Sequence, residues 1–359
     1  MKLAIVTRAF PPDVTSGRET VIYNLWRQAA QCDDVTLISG WRHDVSLLPK
    51  TCLPIDQSSP SRIVNYARFF LQSAYLVRRI QPDVVLSNAI ELGPVNRPSV
   101  VVVYDFNFGR ADDEHGSQMF RRVVIGWRLR AFDRLVPISQ ATADQLAVMG
   151  LDCSRISVVP LGVDLDRFHA VSDSSSERLC VVYPSRITRG KGQHIAIEAL
   201  RSVDETLRAQ VKLIIVGYVE DHHYLRQLET AAADLPVEFH TNVADIVPYY
   251  QSADIVIFPT LMEEGFGFTA AEAMACGKPI ICSDYPAIRE ATGGIGVPVS
   301  PGDVANLARA ITSLLQDPER REALGKAGLA YAQAHYDWTG VYQQYRQILS
   351  GLASDRQRS

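Results

Sequence analysis

Short apolar runs alternate with helix-period segments along nearly the whole chain, and this alternation restricts the fold more than any other feature. Runs at Lys2–Thr7, Val35–Ser39, Asp83–Ser87, Ser99–Tyr104, Leu135–Ser139 and Ile156–Val159 read as strands, with helical periods at Glu19–Ala30, Arg62–Ile80, Gln118–Arg130 and Ala141–Met149. Strands apolar at successive positions, rather than at every second one, belong to parallel sheets covered on both faces. The polar stretch Val171–Glu177 reads as a linker. A second series follows at Leu179–Pro184, Lys212–Val216, Val237–His240, Asp254–Phe258, Pro279–Cys282 and Gly296–Val299. The expectation is an α/β chain of two doubly wound, Rossmann-like domains, 1–170 and 171–335, with a ligand at the carboxyl ends of the strands. Residues 336–359 read as an aromatic-rich helix able to cross back onto the first domain, ending in a polar, disordered tail, Ser354–Ser359.

Composition removes several function classes. With 359 residues, 47% hydrophobic and 21% charged, the chain can build two ordinary cores. A net charge of −4, with no basic arm, argues against a nucleic-acid partner. The charge is unevenly spread: 19 Lys/Arg against 17 Asp/Glu through Ala170 leaves +2, and 17 against 23 beyond it leaves −6. Six cysteines without a CxxC pair point to reduced thiols and a cytoplasmic setting. Met1–Arg8 reads as a first strand rather than a signal peptide, and no apolar run approaches the length needed to span a membrane.

The chemistry concentrates in Glu263–Ala275 (EEGFGFTAAEAMA), where a glycine-flanked turn joins an apolar strand to a short helix opening near Thr269. A helix N-terminus offers unpaired backbone N–H groups to an anion, while Glu264 and Glu272 can accept hydrogen bonds from sugar hydroxyls. Glu272 also has a purely structural reading, because Thr269-Ala270-Ala271-Glu272 fits a capping box. After the second domain's first strand, Pro184–Gly192 sets Arg186 and Lys191 in a glycine-punctuated loop suited to a diphosphate. Alone, that loop reads first as a solvated basic turn; beside the Glu264–Glu272 segment it reads as a site. The first domain has a matching turn, Phe10–Glu19, in which Gly17 would let the backbone approach a phosphate. Neither Asp164-Leu165-Asp166 nor Asp112–His115 is read as a metal site, and no phosphate-binding P-loop occurs. Two basic stretches with aromatic residues, Arg62–Arg79 and Arg121–Arg130, admit peripheral contact with an anionic membrane, or else pack their aromatics inward.

With these residues in place the chain resembles glycosyltransferase family 4, retaining enzymes of the GT-B fold. The resemblance rests on Pro11-Pro12 with Ser16-Gly17, Ile138–Thr142, Val158–Asp164 with Phe168, Arg186 with Lys191-Gly192, and Glu264–Gly267 running on through Glu272–Pro279. It implies a nucleotide-diphosphate sugar as donor, an acceptor hydroxyl of unknown identity, and no bound metal or other cofactor. It also implies that Arg186 and Lys191 neutralise the diphosphate and that Glu264, with backbone of Phe266 and Gly267, holds the sugar, Phe268 and Thr269 being further donor-binding residues. Glu272 would take the ribose hydroxyls, and Gly17 would offer backbone N–H groups. The chain departs from the family in having Ser16-Gly17 for a frequent Gly-Gly, and Tyr104-Asp105 for a frequent His-Asp. Tyr104 and Asp105 are carried as site residues on that correspondence. A sugar-nucleotide epimerase and a non-catalytic nucleotide-sugar binder are the alternatives on the same architecture.

Overall fold

The computed structural model describes residues 1–11, 17–41, 46, 48–104, 115–171 and 178–358, with backbone alone at 115–121 and 356–358. It divides into two units, Met1–Gly162 with Trp338–Ser359, and Val163–Asp337. The linker proper, 172–177, lies outside the described residues.

The first unit runs β1 (Lys2–Thr7), α1 (Gly17–Cys32), β2 (Asp34–Trp41), β3 (Cys52–Asp56), α2 (Arg62–Ile80), β4 (Val84–Ser87), β5 (Ser99–Val103), α3 (His115–Leu129), β6 (Arg134–Pro137) and α4 (Gln140–Val148). All six strands are parallel, in the order β3-β2-β1-β4-β5-β6. Strand alternation assigns the core: Ala4 and Val6 join Phe69, Val77, Leu129 and Leu146 of α2, α3 and α4 in one cluster. Leu3 and Ile5, equally buried, point to the other face, where α1 packs against α13 (Trp338–Arg358). In α2, Asn65, Phe69, Ser73 and Val77 recur every fourth residue on the buried side, and Ser61 caps its start by accepting from the Val64 N–H.

Two local expectations change. β3 is an unforeseen edge strand containing Pro54, a residue an edge tolerates because one side of the ladder is unpaired. Ile156–Val159 is not a strand; it lies along β6 through Ser157 N–H to Leu135 O and Val159 N–H to Pro137 O, and Pro160 stops it. The tail also differs, since α13 continues helical to Arg358, with no glycine or proline after Gly351 to break it.

The second unit runs β7 (Leu179–Pro184), α5 (Gln193–Arg201), α6 (Glu205–Arg208), β8 (Val211–Gly217), α7 (His222–Ala231), β9 (Val237–Thr241), α8 (Val247–Ser252), β10 (Ile255–Phe258), α9 (Phe268–Ala275), β11 (Ile280–Ser283), α10 (Pro286–Ala291), β12 (Val297–Val299), α11 (Val304–Gln316) and α12 (Pro318–His335). Its parallel sheet has the order β12-β11-β10-β7-β8-β9. Chain order reverses between β7 and β10, so the loops leaving these two adjacent strands diverge there. In open α/β sheets that divergence is where ligands bind.

Candidate functional site

Both loops at this switch point are held by hydrogen bonds that leave little freedom. The segment after β7 is tied to the one after β8 through Ser185 N–H to Val216 O and Ile187 N–H to Tyr218 O. A 3-10 turn, Arg189–Lys191, follows, and Gly192 then takes φ +78° to start α5. A Cβ on Gly192 would sit 2.7 Å from Pro259 O, so glycine is required both for the backbone angle and for the contact. Tyr183, buried on β7, donates its hydroxyl to Lys191 O, and Gln193 donates to Arg186 O at 2.7 Å.

This scaffolding aims one cation. The Lys191 Nζ lies 2.5 Å from Glu264 Oε1 and 5.3 Å from the Phe258 ring centroid, with side-chain exposures of only 11% for Lys191 and 21% for Glu264. Glu264 is placed by the loop after β10: Thr260 Oγ1 reaches it at 3.5 Å, and Ser283 and Tyr285 donate to Thr260 O and Leu261 O. Arg186, expected to share the diphosphate with Lys191, is instead exposed and paired with Glu220 at 2.9 Å. It sits in the same loop without joining the Lys191–Glu264 pair.

Gly267, at φ +104° and ψ +51°, is the N-cap of α9, and Phe268 and Thr269 form its first turn. The helix therefore starts two residues earlier than the capping-box reading requires. Thr269 lies inside it, with its hydroxyl donating to Pro184 O at 3.3 Å, so the capping box does not form. Glu272 accepts instead from the Tyr250 hydroxyl at 2.6 Å. Burial pushes its carboxyl up to about 7, although the Tyr250 hydrogen bond and the Arg167 charge favour ionisation. Tyr250 is held edge-on to Phe168, with centroids 5.6 Å apart. The Phe266 ring is core, wedged between Phe268 and Tyr336 at 5.6 and 5.4 Å, which leaves its backbone as the part able to meet a ligand.

The remaining candidates belong to the first unit. Gly17 is the exposed first residue of α1. Tyr104, at the end of β5, is buried; its hydroxyl reaches Arg18 O at 3.4 Å and the Arg18 guanidinium lies 5.4 Å from its ring. Burial raises its pKa, so the phenol stays protonated and acts as a donor. Asp105 lies outside the described residues, as do Pro12–Ser16 and the Asp112–Glu114 cluster. Asp164 and Asp166 form a turn in which Asp164 O accepts from the Arg167 and Phe168 amides. Among the described residues no three His, Cys, Asp or Glu side chains gather as for a metal ion.

Sequence reading missed Glu220 and Tyr250. Glu220 was findable, since it follows β8 at the same sheet end as Arg186. Tyr250 was not, because nothing local marks a tyrosine that reaches a glutamate 22 residues later.

Two doubly wound parallel sheets, the second with a cationic loop and a glycine-opened helix at its switch point, define the GT-B class. Solved structures of that class match nearly the whole chain. Sucrose-phosphate synthase from Thermosynechococcus elongatus is 20% identical, with a TM-score of 0.81 over 99% of this chain and 100% of that one. HepE from Anabaena, in complex with UDP, is 20% identical, with a TM-score of 0.79 over 98% and 100%. Along the sequence, the model described as Glycosyltransferase Family 4 matches residues 15–167, and that of Glycosyl transferases group 1 matches 164–330. The chain belongs to glycosyltransferase family 4. Curated relatives include the GDP-mannose-dependent alpha-(1-6)-phosphatidylinositol monomannoside mannosyltransferase of Mycolicibacterium smegmatis, 29% identical over 61% of this chain and 63% of that protein. The phosphatidyl-myo-inositol mannosyltransferase of Mycobacterium leprae is 30% identical over 66% and 63%. The chain thus spans just under two thirds of the length of these curated relatives.

Proposed function

We propose that this protein transfers a glycosyl unit from a nucleotide-diphosphate sugar to an acceptor hydroxyl, retaining the configuration of the anomeric carbon. One observation carries the reading: a mostly buried Lys191 ammonium, oriented by Glu264, stands in the loop beside the one that opens α9. Supporting it, relatives of the chain are named for GDP-mannose and a protein of the same fold binds UDP. As the bond from the anomeric carbon to the diphosphate breaks, negative charge grows on the leaving oxygen. Lys191 and the first amides of α9 oppose that charge where it develops, and Arg186 joins them by exchanging Glu220 for phosphate. The acceptor oxygen bonds to the same face of the anomeric carbon, and its proton passes to the leaving phosphate oxygen, so no separate base is needed. Glu264 takes hydroxyls of the donor sugar and Glu272 those of the ribose. The reading assigns no metal, the cationic side chains supplying the neutralising charge.

The acceptor is a saccharide, a lipid-linked saccharide or a small metabolite, met on the cytoplasmic side. The six cysteines, all free, support that compartment. No described helix is long and apolar enough to cross a membrane. The test is a panel of UDP-, GDP- and ADP-sugars with candidate acceptors in excess chelator. Transfer that depends on acceptor and survives chelation is expected, with the product linkage read by NMR. Isomerised donor without acceptor would assign an epimerase instead, and binding without turnover across the panel would assign a non-catalytic protein.

A further inference from the structure

Nine of the twelve large hydrophobic side chains found exposed among the described residues belong to three helices of one layer: five on α2, three on α3 and one on α4. They are not scattered along α2. Ile63, Leu71 and Tyr75 lie on one stripe at multiples of four residues, with exposures of 81%, 67% and 61%, and Ala67 completes the spacing. On α3, Val123 and Trp127 repeat the interval, and Trp127 is 66% exposed. Arg128 couples the two helices: its guanidinium lies 5.1 Å from the Phe70 ring of α2 and 5.6 Å from the Trp127 ring, and it donates to Ile90 O and Leu92 O. The inward positions of both helices are already filled, so these exposed side chains are surplus to the core.

The charge carried by the two helices themselves is of one sign. α2 and α3 hold seven arginines (Arg62, Arg68, Arg78 and Arg79; Arg121, Arg122 and Arg128) and no aspartate, glutamate or lysine, in a chain of net charge −4. Arg68 is paired with Asp56, while Arg79 and Arg122 are exposed and make no ion pair among the described residues. Exposed aliphatic and aromatic side chains bordered by arginine suit an anionic surface that can also admit apolar groups. A two-fold contact of this face with itself would set arginine against arginine.

We propose that the outer face of α2 and α3 docks on an anionic phospholipid bilayer, with the Ile63–Leu71–Tyr75 stripe and Trp127 entering the headgroup boundary while Arg79 and Arg122 meet lipid phosphates. The helices lie on the membrane rather than cross it. The inference deepens the proposed function by naming where a membrane-borne acceptor is met, and it rests on that reading only for its purpose, because docking needs no donor.

The test uses the full chain and vesicles of phosphatidylglycerol with phosphatidylcholine, compared with phosphatidylcholine alone. Partitioning is expected on the anionic vesicles only, weakening about tenfold between about 0.1 and 0.5 M salt as screening shortens the reach of the arginines. Leu71→Glu with Trp127→Glu should lower it at least tenfold with unchanged melting temperature and unchanged transfer to a soluble acceptor. Brominated lipid should quench tryptophan emission in the parent chain and much less in Trp127→Phe, a readout that a packing role would not move. Equal binding of the charged variant, equal binding of neutral vesicles, or capture by polyglutamate with vesicles ignored would each overturn the proposal. Transfer can fail while docking stands, and the reverse, so the two readings fall separately.

Discussion

The Lys191 ammonium and the Glu264 carboxylate sit 2.5 Å apart in the second unit, brought together from two strand-end loops 73 residues apart in sequence. Glu264 thereby holds the cation in place before any ligand arrives. Removing either partner leaves the other's charge poorly solvated, but both side chains retain some solvent access, so Lys191→Met should cost on the order of 1–2 kcal/mol of stability, less than for a fully buried pair. The same change removes a charge from the leaving group and should lower kcat/KM for transfer by about 10²–10³-fold. In the double variant Lys191→Met with Glu264→Gln, stability should largely return while turnover does not. Chemical denaturation alongside steady-state kinetics separates the two effects, and a double variant that regained turnover would contradict the assigned role.

The Tyr250–Glu272 pair makes a pH prediction with a definite sign. Burial holds the proton on Glu272 to about pH 7 in the folded chain. An unfolded glutamate releases it near pH 4.3, so this contribution to stability is complete below that value and is lost as pH rises through about 7. Glu272→Gln should flatten that part of the stability–pH profile, a difference of about 2 kcal/mol once the residue's remaining solvent access is allowed for. Nucleoside diphosphate affinity should run the other way, rising with pH as the carboxylate becomes able to accept from ribose hydroxyls. Tyr250→Phe removes a donor that favours the ionised form and should move the midpoint upward. Calorimetric titrations from roughly pH 5 to pH 8, with Glu272→Gln as the reference for the ligand's own ionisation, read both trends.

The architecture was legible because parallel strands buried on both faces write themselves as uninterrupted apolar runs. β1, β7 and α2 begin and end where the sequence pattern places them. β3 was not legible: of Cys-Leu-Pro-Ile-Asp only Ile55 is fully buried, and a proline argues against a strand unless its edge position is already known. In the site, Lys191 and Glu264 were legible as residue types at strand ends, but their pairing was not, because it depends on strand order. Arg186 shows the complementary limit. Its loop is basic on the sequence alone, yet its partner, Glu220, follows a different strand. For Glu272 the local pattern fits a cap, but α9 starts two residues earlier than that cap requires, and the carboxylate accepts from Tyr250 instead.

Gly192 tests whether the cationic loop depends on its backbone. Its positive φ and the 2.7 Å approach of Pro259 O act together, so Gly192→Ala must both strain the angle and displace the β10 loop that carries Glu264. A loss of about 2–3 kcal/mol is expected from strain and overpacking, accompanied by weaker nucleotide binding. Gly294→Ala is the control, because Gly294 also has a positive φ (+75°) but no heavy atom lies within 4 Å of its Cβ position. That variant should lose only the angular part, on the order of 1 kcal/mol, and keep ligand affinity. Urea denaturation with thermal shift by added nucleotide would distinguish them, and matching losses in affinity would show that the Pro259 contact does not matter.

Asp33 carries the last prediction, on how α13 is fastened to the first unit. Its side chain is fully buried at the end of α1, where it accepts from the Tyr342 hydroxyl at 2.8 Å and Arg346 Nε at 3.0 Å, with the Met1 amino group 3.2 Å away. Burial alone would raise its pKa, but the hydrogen bonds from Arg346, Tyr342 and Met1 outweigh that and hold the carboxyl below its usual range. A depressed carboxyl stabilises the fold above the unfolded value, near pH 3.9, and the contribution is lost as pH falls through the folded one. Asp33→Asn removes the charge while keeping the shape, and should cost about 3 kcal/mol at neutral pH by leaving its donors without a charged partner. The deficit should narrow as the parent chain is acidified below about pH 4, because the parent then loses the same charge. Tyr342→Phe should cost only about 1 kcal/mol, the value of one hydrogen bond to a group that keeps its other partners. Hydrogen exchange should show opening concentrated in α13 and the end of α1 for Asp33→Asn, with the second unit unchanged; exchange raised uniformly across both units would mean that Asp33 does not act by pinning α13.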